Sequence, residues 1–393
     1  MNKVLRLLAQ AGFSLALAAA VTVFAVVGAS AQQCPVTGFS SGLQLPSGVA
    51  QSPLGNLLVT ENGTSAPNTG RVSIVEPGGT RRTLINGLPS GINDVGDISG
   101  PNGLLLAGRT LYVAIGSGDA TVAGPIPGTE LPNPQPSSPL YASILAIHFS
   151  ANVEKTTDGL TLTPAHQQAL AQGKKVKLGA GGDKVTVELV ANFPDYAPDP
   201  LPFFADNVRH SNPYHMAAAG NLLYVTDAGM NSVRKVNLNT GAFSTLAAFA
   251  PIPNPLPFGP PVIEAVPTGI FLGGGQLLVT LFRGFPFPPG ASTVVAVDVK
   301  KGTQAPFING LSSAIDVLPV KSKGDTDYLV LELSTDLLSG QPGRLLRFET
   351  QGSAPTVIAD CLVSPSAMTH NAKTRTLYVT EIFTGRVVTI PVE

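Results

Sequence analysis

The sequence predicts an all-β chain folded as a six-bladed β-propeller, its last blade closed by the mature N-terminal strand. Three observations predict it. One short apolar strand recurs six times, turn residues flank the copies at a steady offset, and the two chain ends complement each other.

The recurring strand reads Leu57-Leu58-Val59-Thr60-Glu61, Leu111-Tyr112-Val113-Ala114 and Leu223-Tyr224-Val225-Thr226-Asp227. It returns as Leu277-Leu278-Val279-Thr280, Tyr328-Leu329-Val330-Leu331-Glu332 and Leu377-Tyr378-Val379-Thr380-Glu381. A small-residue turn precedes most copies, as at Pro46-Ser47-Gly48, Pro101-Asn102-Gly103, Pro267-Thr268-Gly269 and Pro365-Ser366-Ala367. A β-branched strand follows most copies, as at Gly70-Arg71-Val72-Ser73-Ile74 and Gly385-Arg386-Val387-Val388. A fourth strand comes after it, such as Thr83 to Leu88 or Pro306 to Leu311. Four short strands per repeat of about fifty residues make the blade of a propeller.

The ends supply the closure. The sixth unit stops at Glu393 after its third strand, and Val36 to Leu43 offers the missing fourth. Such a closure leaves no open edge strand. One long insertion, about 116–205, interrupts the period. It opens with a Pro-rich loop from Gly124 to Pro139. Ile144 to Phe149 then reads as a third strand, Ala165 to Gln172 as a short helix entered through Pro164, and Val185 to Val190 as a return to the sheet. The insertion reads as surface decoration of one blade rather than a separate domain.

Composition fits this class. Of 393 residues only 12% are charged, 44% are hydrophobic, and Gly (42) and Pro (35) are plentiful. Apolar runs between Gly/Pro turns point to β structure and against disorder. With 24 Lys+Arg against 25 Asp+Glu, no basic face for nucleic acid is expected.

Residues 1–31 read as a signal peptide. Lys3 and Arg6 form a basic start, an apolar stretch runs to about Val27, and Ala29-Ser30-Ala31 is a small-residue cleavage site. The mature chain, 32–393, is therefore expected outside the cytoplasm, extracellular or periplasmic, as a monomer with no membrane contact after cleavage. Export permits a disulfide between Cys34 and Cys361. Spacing alone leaves open whether they pair or stay separate thiols.

Several words resemble the ScyD/ScyE family of secreted NHL-type propellers. They are Ala191-Asn192-Phe193-Pro194-Asp195, Ser211-Asn212-Pro213-Tyr214, Asp227-Ala228-Gly229-Met230-Asn231-Ser232, Val266-Pro267-Thr268-Gly269 and Gly284-Phe285-Pro286-Phe287-Pro288-Pro289-Gly290-Ala291. They stand in family order across nearly the whole mature chain. His215-Met216 and Leu281-Phe282-Arg283 depart from the family pattern. The resemblance implies a binding or accessory propeller and carries over no catalytic residue.

Candidate site residues follow from blade topology. Loops from second to third strand, and from fourth strand to the next blade, share one face. That face would collect Glu61, Asn62, Asp227, Asn231 and Glu381 from the first kind of loop. From the second come Asn93, Asp94, Asp97, Asn102, Asp206, Asn207, Asn212 and Asp316. An oxygen-rich face suits a hard cation such as Ca²⁺. Such an ion would polarise a carbonyl and activate water, which sets an alternative reading as a lactonase-type hydrolase. Turn chemistry is the competing explanation for the same Asp and Asn residues, which favour tight loops by bonding their own backbone. With no recognisable triad, a binding module for a small molecule or protein partner is the leading expectation. His210 and His215 flank Ser211 to Tyr214 but lack a visible third ligand. Gly38-Phe39-Ser40-Ser41-Gly42 matches a nucleophile-elbow pattern without the helix that the elbow requires. Phe285 and Phe287 read either as an apolar contact surface or as a local seal.

Overall fold

The structure is a computed structural model that describes residues 34–180, 184–322 and 324–392. The signal-peptide segment lies outside the described residues. Six antiparallel blades follow one another. Blade 1 comprises Pro46–Gln51, Leu57–Glu61, Gly70–Val75 and Arg81–Leu88. Blade 2 comprises Pro101–Ala107, Thr110–Ile115, Ser143–His148 and Val185–Asn192. Blade 3 comprises Pro213–Ala219, Leu222–Asp227, Ser232–Asn237 and Phe243–Ala248. Blade 4 comprises Pro267–Gly273, Gln276–Leu281, Ser292–Asp298 and Gln304–Leu311. Blade 5 comprises Ala314–Ser322, Asp325–Glu332, Gly343–Phe348 and Thr356–Leu362. Blade 6 comprises Pro365–Asn371, Thr376–Glu381, Arg386–Pro391 and, from the other end of the chain, Thr37–Ser41.

The closing strand pairs antiparallel with Arg386–Pro391, Thr37 opposite Thr389 and Ser41 opposite Arg386. Phe39 sets its ring edge-on to Tyr378 at 5.1 Å. The hydrolase-like Gly38–Gly42 word is thus a β-strand with a bulge, not a strand-to-helix elbow.

Each signature strand is apolar on both faces because it is sandwiched between two blades. Leu57, Leu58 and Val59 are all buried, and so are Leu223, Tyr224 and Val225. The buried side chains group into six clusters, one at each junction between neighbouring blades. Each fully buried Val or Leu side chain contributes about 1.5–3 kcal/mol of transfer free energy.

The Thr that recurs near the end of four signature strands has a different task. Thr60 donates to the carbonyl of Asn102 in the next blade. Thr226 donates to Thr268 O at 2.6 Å, and Thr280 to Ile315 O at 3.3 Å. The residue after the inner-strand proline repeats the device. Ser47 Oγ donates to Pro101 O at 2.7 Å, Asn102 Nδ2 to Pro213 O at 2.8 Å, and Ser366 Oγ to Pro46 O at 2.8 Å. The last of these joins blade 6 to blade 1. In blade 1 the next position is crowded, since a Cβ on Gly48 would stand 2.9 Å from Asn102 O.

The insertion does more than decorate one blade. Its two helices, Ala151–Thr156 and Pro164–Ala171, are capped by Ser150 and Thr163. Buried Glu154 accepts from Ser52, from Asn56 (2.9 Å) and from Arg109, joining blades 1 and 2. Leu160–Thr161 adds a parallel strand to the outer edge of blade 1, and Val176–Leu178 adds an antiparallel one to blade 2. Gln167 bonds Gly87 O at 2.9 Å. The expectation of decoration on one blade is corrected accordingly: the segment is a strap across two.

Both cysteines, Cys34 and Cys361, are disulfide-bonded. Among the described residues no helix is long and apolar enough to cross a membrane.

Candidate functional site

The acids that the sequence places on a channel face are clamps within single blades. Glu61 ends its strand fully buried. It accepts from the backbone N–H of Gln44 and the hydroxyl of Ser73, and Arg71 Nη2 lies 2.9 Å from Oε2. Asp227 accepts from Asn212 N (2.9 Å) and Ser211 Oγ (2.8 Å), and pairs with Arg234 at 3.2 Å. Glu381 accepts from Val363 N at 2.7 Å and pairs with Arg386. Glu332, which the sequence reading did not single out, accepts from Ser312 N at 2.7 Å and pairs with Arg344.

The rule is common to all four. The last residue of the second strand receives the chain as it enters the blade and an arginine from the third strand. A buried carboxylate needs both kinds of donor to offset lost hydration. Burial pushes Glu332 above the ordinary carboxylate range even against the pull of Arg344. Glu61, Asp227 and Glu381 sit on three different blades, and none belongs to a group with metal-ligand spacing among the described residues.

The remaining predicted residues divide. Asn102 and Asn212 do meet, with Asn102 Nδ2 3.0 Å from Asn212 Oδ1, and a Cβ on Gly116 would fall against both. Asn231, with φ 48°, accepts from Val266 N at 2.8 Å and donates to Glu264. Asp316 is buried in the inner strand of blade 5 and receives Met368 N of blade 6 at 3.1 Å. Burial holds its pKa above the usual aspartate range, against the charge of His215. Asp206 is exposed. His215 lies on the inner strand of blade 3, against Gly103, and does not join His210.

What the loop face does gather is apolar surface. Thirteen large apolar side chains are exposed among the described residues. Eleven of them, all but Phe243 and Val357, stand in second-to-third loops or in connections between blades. The densest group is aromatic. Phe285 and Phe258, each 49% exposed, meet edge-on at 6.4 Å. Phe287 adjoins Phe285 at 6.0 Å and Phe282 at 5.9 Å. Thus Phe287 seals the loop while Phe285 faces out, and the Phe285–Pro286 bond is cis. None of the described lysines stands in these connections. Beside the aromatics, Arg209 is engaged by Glu264 at 3.0 Å and Asp199 at 3.2 Å. Arg209 holds Glu264 below its ordinary pKa.

Three residues from distant parts of the chain also meet on this face. Asp94 comes from the connection between blades 1 and 2, Glu130 from the insertion hairpin Thr121–Ala123/Glu130–Pro132, and His210 from the entry to blade 3. His210 Nδ1 lies 2.8 Å from Glu130 Oε2 and 3.7 Å from Asp94 Oδ1. Burial disfavours charge on His210, but Glu130, Asp94 and Asp227 outweigh it and raise its pKa. Burial, then Glu130, raises the pKa of Asp94. Sequence reasoning found Asp94 and His210 separately and missed Glu130, eighty positions away from His210 in a segment taken for decoration.

A hollow of about 730 Å³ on the opposite face is lined by Asp325, Asp327 and Arg347. Within it, Arg347 is already engaged, donating to Asp327 and to Ser322 (2.6 Å).

No family model and no curated protein matches the chain. Solved structures do. The PQQ-bound aldose sugar dehydrogenase of Streptomyces coelicolor is 14% identical with a TM-score of 0.50, over 91% of this chain and 98% of that one. A gluconolactonase from Xanthomonas campestris is 9% identical with a TM-score of 0.49, over 94% of each chain. Virginiamycin B lyase of Staphylococcus aureus is 12% identical with a TM-score of 0.45, over 91% and 98%. At these identities the likeness shows the propeller fold alone.

Proposed function

We propose that the protein is a secreted binding module that takes an uncharged, aromatic ligand on its loop face, anchored by Phe258 and Phe285. The observation that carries this reading is the gathering of eleven of thirteen exposed large apolar side chains on that one face. Apolar surface kept exposed at one place marks an interaction site. Aromatic anchors dominate binding energy because they remove much surface from water at little entropic cost. The absence of lysine from the same connections, and the full engagement of Arg209, argue against an anionic ligand. The leader-like segment at 1–31, the oxidised cysteines and the ScyD/ScyE words support secretion and an accessory role.

Fluorescence titration of the mature chain with Nile red, an uncharged aromatic probe, tests the reading. Phe258→Ser with Phe285→Ser is expected to weaken binding at least fivefold with the melting temperature unchanged. Absence of probe binding by the parent chain, or equal binding by the double variant, would count decisively against it.

A further inference from the structure

The Asp94–Glu130–His210 cluster carries an inference beyond ligand binding at the aromatic patch. Two carboxylates and an imidazole offer one ligand atom each, and these atoms lie within 4.8 Å of one another. The distances from His210 Nδ1, 2.8 and 3.7 Å, straddle the about 3.3 Å that separates ligand atoms around a tetrahedral Zn²⁺.

A hydrogen-bonded ion pair alone does not account for Asp94. Its side chain is only 8% exposed, and its Oδ1, turned toward His210, has no hydrogen-bond partner. A single imidazole proton serves Glu130 and leaves the second buried carboxylate oxygen unsatisfied, which is costly. A dication in place of that proton would satisfy both carboxylates at once.

The surroundings fix the set in place. Glu130 N donates to Asn207 Oδ1 at 2.8 Å, and Asn207 Nδ2 donates to Asp199 O at 2.8 Å. The nearby cations are engaged elsewhere, Arg234 with Asp227 and Arg209 with Glu264. Such outer partners orient ligands at metal centres.

We propose that Asp94, Glu130 and His210 bind one divalent transition-metal ion of the Zn²⁺ class, where the insertion hairpin meets the connections that lead into blades 2 and 3. The imidazole favours this class over Ca²⁺, which prefers an all-oxygen shell. The site ties the insertion hairpin to two inter-blade connections, so metal would also rigidify the loop face.

The untagged mature chain, stripped with chelator and titrated with Co²⁺ and then Zn²⁺, tests this by absorbance and calorimetry. One ion per chain is expected, with Co²⁺ bands displaced by Zn²⁺. Asp94→Asn, Glu130→Gln and His210→Gln should each weaken Zn²⁺ binding at least tenfold while Glu264→Gln does not. Failure of the parent chain to take up Zn²⁺, uptake of Ca²⁺ in preference, or stoichiometric Zn²⁺ binding that survives all three substitutions would overturn the proposal. The Nile red titration is independent of each of these results.

Discussion

The two faces of the propeller come from the same antiparallel blades yet differ in almost every respect. On one face the first and second strands are joined by turns as short as Gly108-Arg109, Gly220-Asn221 and Gly274-Gly275. Lys300, Lys301 and Lys373 stand in turns there. On the other face the connections run to residues 116–142 and 193–212, and carry exposed Phe, Tyr, Ile and Val side chains. The contrast teaches where to look. The repeated signature, Leu-Tyr/Leu-Val-Thr-Glu/Asp, builds the ring: its apolar residues fill the junctions, its Thr reaches the next blade and its acid clamps its own. What the repeat does not dictate, the long connections, is free to carry function.

That division can be broken first at the ring. Removing residues 35–43 takes away the outer strand of blade 6 and buried Leu43. The expected outcome in calorimetry is loss of the cooperative transition, or a fall of more than about 10 °C in melting temperature. A truncated chain that melts like the parent would refute the closure.

Glu61→Ala strikes one clamp. It leaves Arg71 and the N–H of Gln44 without their acceptor. Urea unfolding should show a loss of about 3 kcal/mol, as expected for a broken buried pair. Thr60→Val deletes a single bond to the next blade at nearly constant volume. It should cost about 1–2 kcal/mol, because Asn102 O then lacks that donor.

The smallest effect lies on the loop face and has the opposite sign. Burial raises Asp195 to about 6 from its ordinary 3.8. A raised carboxyl pKa means the folded state favours the protonated form. The group's contribution is therefore full below about pH 4 and is lost as pH rises through about 6. Asp195→Asn should stabilise the protein at pH 7 by about 1 kcal/mol, after discounting for its partial exposure, and flatten stability between pH 4 and 6. Unfolding free energies measured at both pH values check the sign.

Much of the ring was legible in the sequence because its determinants are local. Strand, turn and strand recur within each repeat, and Val36 to Leu43 could be assigned to blade 6 from the missing fourth strand. The clamps were visible as residues but not as clamps. Glu61 and Asp227 look alike whether they face a channel or an arginine, and Arg71 and Arg234 show their role only once the third strand lies alongside. The cluster of Asp94, Glu130 and His210 was illegible as a set, since no periodic pattern links an inter-blade connection, an insertion hairpin and the entry to blade 3. The strap role of Glu154 was hidden in the same way, by partners at Ser52, Asn56 and Arg109.

The central claim is that signature acids hold the ring while loop-face aromatics are free for a ligand. Calorimetry of Glu61→Ala beside Phe285→Ser tests it most directly. The account predicts a melting temperature lowered by several degrees for Glu61→Ala and unchanged within about a degree for Phe285→Ser. A Glu61→Ala protein that melts with the parent, or a Phe285→Ser protein that loses its cooperative transition, would contradict it.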